Sequence, residues 1–356
     1  MESLGNFPDP FLTEIASQPH AIRRTAEAAA EQRDVLDRVR EAAAGRTPVF
    51  TGMGSSYDAC YPIVSDLAGH GALTLLADAA ELLHFRRPIL TAATLVVIVS
   101  QSGESAEIVR LATKISEQPA PPPLVSITNG LDNGLARRAD LRLDTRAGAE
   151  TGPSTKTFAG SLTMLAGLAR VLGGEDVEAA ADHLGSAAEK AAMAAERLLE
   201  DPVTLATRLA RHLGGRDILF LLGRGPARAA TEMGALTMKE SGLMAEALES
   251  AMFRHGPLEL AGPGMSAIVV ATEPETRRLD LSLAGELVGA GATVLVVSPD
   301  GERPDGADAI ATGTDDRMLG PAVSVLPIQA LAWKLSAETG RTPGSFTRAS
   351  KVTTRE

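Results

Sequence analysis

Three stretches of this chain gather hydroxyls, amides and glycines where an apolar run gives way to a helical pattern. They are GMGSSYDA at 52–59, SQSGESAE at 100–107 and GPSTKTFAG at 152–160. A helix that starts at such a loop offers unpaired N–H groups and the positive end of its dipole. Added serine and threonine hydroxyls make a cradle for phosphate without a cluster of arginines. The same residue types cap helices and form turns, so capping alone explains any one loop. Three of them on one edge of a sheet point to an anion site. GMGSS lacks the third glycine of a dinucleotide fingerprint and SQSGES supplies no ribose-binding acid, which sets that reading aside.

A second group of residues has proton chemistry to offer. Glu240 stands in a helical pattern within GALTMKESGLMAEALESAMFRHGPLEL, and His255 precedes Gly256 and Pro257, where a helix stops. A carboxylate and an imidazole are a natural pair for moving protons at sugar hydroxyls and carbons. By themselves they are more often a solvated helix residue and a capped loop histidine. Lys351, in the terminal RASKVTT, is ordinarily a solvated tail lysine. Yet SKVTT is β-prone and could fold back over a site, where a dried lysine loses its proton and attacks a carbonyl. The histidines at 20, 70, 84, 183 and 212 lack metal-ligand spacing and read as structural.

The elements that must position these residues follow from hydrophobic period. Residues 10–45 read as helical, with strands at TPVFTG, ALTLLAD, LVVIVS and PLVSITN and helices from Ser55, near 79–86, at 104–117 and at 131–138. Residues 155–214 read as helix throughout. Strands return at DILFLLGRG, MSAIVVATEPE and GATVLVVSPDG, and PIQALAWKLSAETG closes as a helix. The second half echoes the first, VFTGMGSS matching LFLLGRGPA, and LVVIVSQSGES matching AIVVATEPETR. The expected fold is α/β: two tandem doubly wound domains, each a parallel sheet flanked by helices. Ligands then bind beyond the carboxyl ends of the strands, where the hydroxyl-rich loops fall.

Composition narrows the function. The 356 residues suffice for two domains, and 44% apolar with 22% charged residues is globular. A net charge of −11 and 3% aromatics disfavour a grip on nucleic acid. One cysteine, Cys60, excludes an intrachain disulfide and a cysteine-rich zinc site. The start MESLGNFPDP has no signal-peptide pattern and no long apolar run exists, so a soluble cytoplasmic protein outside the membrane is expected.

Taken in order, SQSGES, PSTKTF, GRGPARAATEMGALTMKE, FRHGPLEL and the terminal KVTT resemble the sugar-isomerase (SIS) domain proteins. The likeness is to the isomerase half of glucosamine-6-phosphate synthase and to free-standing glucosamine-6-phosphate deaminases of the same type. It runs over essentially the whole chain, from DPFLTEIASQPHAI onward. The resemblance implies a double-SIS chain: a helical segment at 1–45, a phosphate-binding domain at 46–175, a helical connection at 176–214, a second domain at 215–340, and a tail at 341–356 folding over the site. It implies that Ser56, Ser100, Gln101, Ser102 and Ser105 hold a sugar phosphate, with Ser55, Ser154, Thr155 and Lys156 lining the sugar pocket. Glu240 would move protons between C1 and C2, and His255 would open the ring, entering from the partner of a homodimer. Lys351 would engage the open-chain carbonyl or order the tail. No metal or organic cofactor is implied, because the substrate's carbonyl serves as the electron sink.

Two departures bear on this. Glu150 and Ser154 stand one residue closer than the family spacing, with Pro153 between, which puts the role of Glu150 in doubt. No glutaminase segment precedes the isomerase-like part, so the expected direction releases ammonia from an amino-sugar phosphate and leaves a ketose phosphate. Alternatives keep the fold: an aminotransferase using ammonia from elsewhere, a simple phosphosugar isomerase, or a deglycase for sugar-amine phosphates. A non-catalytic sugar-phosphate sensor is the alternative of another class; it needs none of Glu240, His255 and Lys351.

Overall fold

The computed structural model describes residues 9–348 and 350–355; most of the opening stretch MESLGNFPDP, residues 1–8, lies outside them. Ten strands form two sheets. The first holds β1 (Thr47–Thr51), β2 (Leu75–Leu76), β3 (Thr94–Val99), β4 (Leu124–Thr128) and β5 (Leu141–Asp144). The second holds β6 (Ile218–Gly223), β7 (Ala245–Glu249), β8 (Met265–Val270), β9 (Thr293–Ser298) and β10 (Asp308–Ala311). Every residue of β3 and β8 is buried, as the continuous β-branched runs TLVVIV and MSAIVV require of central strands covered on both faces.

The order is β2-β1-β3-β4-β5 in one sheet and β10-β9-β8-β6-β7 in the other, which is the same order read from opposite sides. All pairs are parallel. In each sheet the chain adds its second strand on one side of the first, then crosses to the other side. The topological switch therefore falls between β1 and β3, and again between β6 and β8, which is where a crevice opens in such sheets. The echo between the halves of the sequence has this topological counterpart.

The chain divides into two compact units. One comprises His20–Ala149, Lys156–Glu189 and Arg348–Glu356; the other comprises Met1–Pro19, Glu150–Thr155 and Lys190–Thr347. The expected helical segment at 10–45 is three helices, Pro10–Ala16, Gln18–Glu31 and Arg33–Ala43. The stretch 155–214 is helical as expected, in Lys156–Leu172, Val177–Leu198 and Pro202–Leu213.

Several elements differ from the sequence expectation. ALTLLAD contracts to the two residues of β2, paired with Val49 and Phe50. The helix expected at 131–138 is a series of turns. Two of its N–H groups are claimed elsewhere: Gly134 donates to Glu104 Oε1 (2.6 Å) and Leu135 to the Gly103 carbonyl (2.9 Å). The strand AEALE (β7) has the composition of a helix, yet it pairs with β6 from Leu219 opposite Ala245 to Gly223 opposite Glu249. Tertiary pairing overrides local propensity there.

The helix Arg228–Glu240 packs closely on its sheet because residue 234 has no side chain. A Cβ at Gly234 would stand 2.8 Å from both Ile328 Cγ2 and Leu221 Cδ2. Gly234→Ala should gain about 1 kcal/mol of helix propensity and lose about 1–3 kcal/mol to overpacking. We expect a lower urea midpoint with an unchanged slope. A raised midpoint would mean that this helix has slack against Leu221 and Ile328.

Candidate functional site

The carboxyl edge of the first sheet begins with an approach of backbone to backbone. A Cβ at Gly52, just past β1, would lie 2.9 Å from the Ser56 carbonyl carbon, the Tyr57 nitrogen and the Val99 oxygen. The exit of β1, the short helix Ser55–Asp58 and the end of β3 thus meet with no room for a side chain. Gly54 (φ +52°) makes the turn into that helix. Ser56 is buried and Ser55 half-buried, both beside the switch between β1 and β3.

The loop after β3 is braced from several directions. Ser100 N–H continues the ladder to the Ile127 carbonyl (3.0 Å), and Asn129 N–H donates to the Gln101 carbonyl (3.1 Å). Ser100 Oγ accepts from Gly103 N–H and Ser102 Oγ from Glu104 N–H, each at 3.1 Å. Gly103 takes φ +64°, and a Cβ there would sit 2.0 Å from Asn133 Oδ1. Ser105 is the N-cap of Ala106–Ser116, and its hydroxyl makes no capping bond. The Ala106 N–H, first in that helix, donates to the Thr353 carbonyl at 3.0 Å. The terminal segment therefore seats on this loop, with Lys351 half-buried two residues away. One unit thus gathers Ser55, Ser56, Ser100, Gln101, Ser102, Ser105 and the tail at one sheet edge. Hydroxyls, an amide and a helix N-terminus there can hold a multiply charged oxyanion.

The third hydroxyl-rich loop divides. Glu150–Thr155 clusters with the other unit, while Lys156 belongs with the first and donates to the Ala149 carbonyl. Glu150 is buried; its Oε1 accepts from Thr155 N–H (2.7 Å) and Thr155 Oγ1 (2.9 Å). The Ser154 carbonyl accepts from Gln329 Nε2 at 3.2 Å. Glu14, which sequence reasoning did not single out, receives Thr151 N–H (2.7 Å), Thr151 Oγ1 (3.1 Å) and Gly152 N–H (3.2 Å). A buried carboxylate in a helical segment carries no local sign of such a distant partner.

Glu240 is the last residue of Arg228–Glu240, which ends in a Schellman motif. Gly242 (φ +78°) donates to the Lys239 carbonyl and Leu243 to the Met238 carbonyl, each at 2.9 Å. The chain then runs along β7 to the short helix Ser250–Phe253, capped by Glu249 Oε2 on Met252 N–H (2.8 Å). Phe253, fully buried edge-on against Phe220 at 5.0 Å, anchors the turn that presents His255 in the open. Within one chain Glu240 and His255 thus stand at opposite ends of a five-residue strand, roughly 16 Å of extended backbone.

At the second switch point ion pairs replace hydroxyls. Arg224, following β6, donates from Nε to the buried Asp280 (2.9 Å) and lies 3.7 Å from Glu249. Glu273, following β8, is buried, and its pKa is raised to about 7; burial penalises its charge, and Arg317 at 3.9 Å offsets only part. Cys60 is fully buried, and burial together with Asp58 pushes its thiol far up. Among the described residues no cluster of three or more metal-type ligands occurs, and no helix is long and apolar enough to cross a membrane.

Comparison with known proteins meets this geometry at the first unit. Residues 45–170 match the SIS domain family, a span that takes in the β1–β3 crevice. More particularly, the whole chain is homologous to part of glutamine–fructose-6-phosphate aminotransferase. It is 29% identical over 377 residues to that of Pyrobaculum aerophilum (100% of this chain, 59% of that protein). It is 31% identical over 376 residues to that of Thermococcus kodakarensis (100% and 60%). The chain thus spans about 60% of the length of these relatives. The fold is shared with the C-terminal domain of glucosamine-fructose-6-phosphate aminotransferase from Francisella tularensis (TM-score 0.80, 24% identity, 94% of this chain and 97% of that one). It is also shared with glucosamine-6-phosphate deaminase from Thermotoga maritima (TM-score 0.68, 20% identity, 92% and 99%).

The buried Glu273 makes stability depend on pH in a defined sense. Its folded pKa of about 7 exceeds the ordinary 4.5. The folded state therefore holds an extra proton in that window, and stability is lost as pH rises from about 4.5 through 7. Glu273→Gln should be more stable than the native protein at pH 8 by up to roughly 3 kcal/mol. The gain should vanish near pH 4.5. Denaturant titrations at the two pH values check this, and an equal gain at both would exclude titration of Glu273 as the cause.

Proposed function

We propose that the protein is a double-SIS phosphosugar isomerase that deaminates an amino-sugar phosphate, converting glucosamine-6-phosphate to fructose-6-phosphate and ammonia. The observation that carries this reading is the hydroxyl and N–H lining of the β1–β3 crevice, formed by Ser56, Ser100, Gln101, Ser102 and Ser105, in a chain homologous throughout to an aminotransferase of fructose-6-phosphate. The substrate phosphate docks on that lining, with Ser55, Ser154, Thr155 and Lys156 toward the sugar. His255 takes the C1 hydroxyl proton and returns one to the ring oxygen, opening the ring.

Glu240 moves the C2 proton of the open aldose to C1 while an amine proton passes to O1, which turns the C2 amine into an imine and C1 into a hydroxymethyl group. Water adds to C2, and ammonia leaves with a proton. Lys351 meets the open-chain carbonyl or holds the tail. The separation of Glu240 and His255 by the length of β7 supports a homodimer in which one copy's His255 serves the other's substrate. The only cysteine in these residues is buried with a protonated thiol, so they hold no thiolate with which to release ammonia from glutamine. Homology to aminotransferases favours the reverse direction as a second reading, with free ammonia added to fructose-6-phosphate.

The test is ammonia release from glucosamine-6-phosphate by the purified protein, run also in reverse with ammonium. Glu240→Gln should lower kcat by about 100- to 10,000-fold while substrate still binds. Ser102→Ala should raise KM about tenfold with a smaller change in kcat, because one charge-assisted bond to phosphate is lost. Binding of a hexose phosphate without turnover in either direction would replace this reading with a sensor.

A further inference from the structure

Glu14 lies on the buried stripe of the helix Pro10–Ala16, with Phe11, Leu12 and Ile15. A carboxylate placed there must find donors, because an unpaired charge is costly to bury. Its donors come from one loop far along the chain. Oε1 accepts from Thr151 N–H (2.7 Å) and Thr151 Oγ1 (3.1 Å), and Oε2 from Gly152 N–H (3.2 Å). Among the described residues its side chain has no other partner. The loop sits close on the helix: a Cβ at Gly152 would stand 3.3 Å from Phe11 Cδ2 and 3.4 Å from Glu14 Oε2. The far end of the loop is held separately. Gln18, buried just past the same helix, donates from Nε2 to Gln329 Oε1 (2.6 Å), and Gln329 Nε2 donates to the Ser154 carbonyl (3.2 Å). Thr155 N–H goes to Glu150 Oε1 (2.7 Å). All of these residues belong to one unit. Pro153 has no N–H, so residues 151–155 have four, and three of them end on carboxylates. This loop is therefore no anion cradle; the groups that suit a ligand there are hydroxyls and carbonyls, which match neutral sugar hydroxyls.

We propose that Glu14 is a positioning residue for the sugar pocket: it holds the backbone of Thr151 and Gly152, and so sets where Ser154 and Thr155 stand against the sugar. Both oxygens are needed, because each faces an N–H group. An amide in place of the carboxylate turns its own N–H donors toward one of them. The first half of the loop is then released, while Gln329 and Glu150 still hold the second half. A small misplacement of groups that orient a substrate lowers its rate of reaction. Ser56, Ser100, Gln101, Ser102 and Ser105 take no part in these bonds, so the hold on phosphate should not change. The effect on catalysis rests on the place proposed above for Ser154 and Thr155 in the sugar pocket; the hold of Glu14 on the loop does not.

The experiment compares Glu14→Gln and Thr151→Val with the native full chain, under conditions where circular dichroism shows each folded. Hydrogen exchange of the segment 150–155, followed by mass spectrometry, should quicken about tenfold or more in Glu14→Gln. It should quicken about twofold in Thr151→Val, an exposed change that removes one donor and leaves both N–H bonds. With glucosamine-6-phosphate, KM in Glu14→Gln should rise about tenfold and kcat fall about three- to tenfold. The inhibition constant of inorganic phosphate should stay within about twofold of the native value. A merely structural role would lower the urea midpoint and leave KM and kcat of the folded protein as they were. Unchanged exchange in Glu14→Gln would overturn the hold on the loop. Quicker exchange with unchanged KM and kcat would overturn the positioning role, as would phosphate inhibition that weakens in step with KM. Should Glu14→Gln not fold, Thr151→Val decides, and unchanged exchange and KM there would overturn the proposal. A native chain with no turnover would fail the function proposed above, while the exchange measurement still decides whether Glu14 holds the loop.

Discussion

The first unit is organised around a contact in which no side chain takes part. A Cβ added at Gly52, just past β1, would stand 2.9 Å from the backbone of the following helix and from the last carbonyl of β3. Backbone atoms cannot rotate aside as a side-chain tip can. That single absence of a methyl group lets the two loops beside the topological switch converge. Ser55 and Ser56 come from one, and Ser100, Gln101, Ser102 and Ser105 from the other. Gly103 repeats the constraint on a smaller scale, where the positive φ and the Asn133 amide leave no space.

The second sheet uses the same strand order and a comparable glycine turn, yet its crevice holds different chemistry. Arg224 is spent on Asp280 and Glu249, and Glu273 remains a carboxyl poised near neutrality. An inward-facing ion pair costs desolvation that only good geometry offsets. Those side chains therefore serve first to hold the loops after β6, β7 and β8 together. This unit's candidate chemistry lies at the two ends of β7: Glu240 where the preceding helix stops, and His255 on the turn secured by Phe253 and Phe220. A helix whose last turn is closed by a Schellman motif gives Glu240 a defined, half-buried position.

Much of the candidate site was legible as sequence. SQSGES is bounded by a strand of six buried residues and a helix with a clear apolar stripe, and both signals are local. Likewise Gly256 and Pro257 mark where the turn bearing His255 must form. What could not be read depended on distant partners. The stretch at 131–138 has a helical pattern, but the N–H groups of Gly134 and Leu135 bond to Glu104 and Gly103. β7 is written in Ala, Glu and Leu and becomes a strand only because β6 offers it a ladder. Glu14 gave no sign that it would receive three bonds from residues 151 and 152.

By itself, the sequence determined the alternation of parallel strands and helices, the duplication of that pattern, and the types of residue on the loops that follow β1 and β3. Those properties rest on periodicity, capping and glycine conformations, all of which act over a few residues. Tertiary structure alone decided that the tail caps the helix after SQSGES through Thr353, that Glu150 is committed to Thr155, and that Glu240 and His255 of one chain are held apart by the length of β7. These outcomes depend on which buried polar groups and apolar faces find partners far along the chain, and no local pattern encodes that choice.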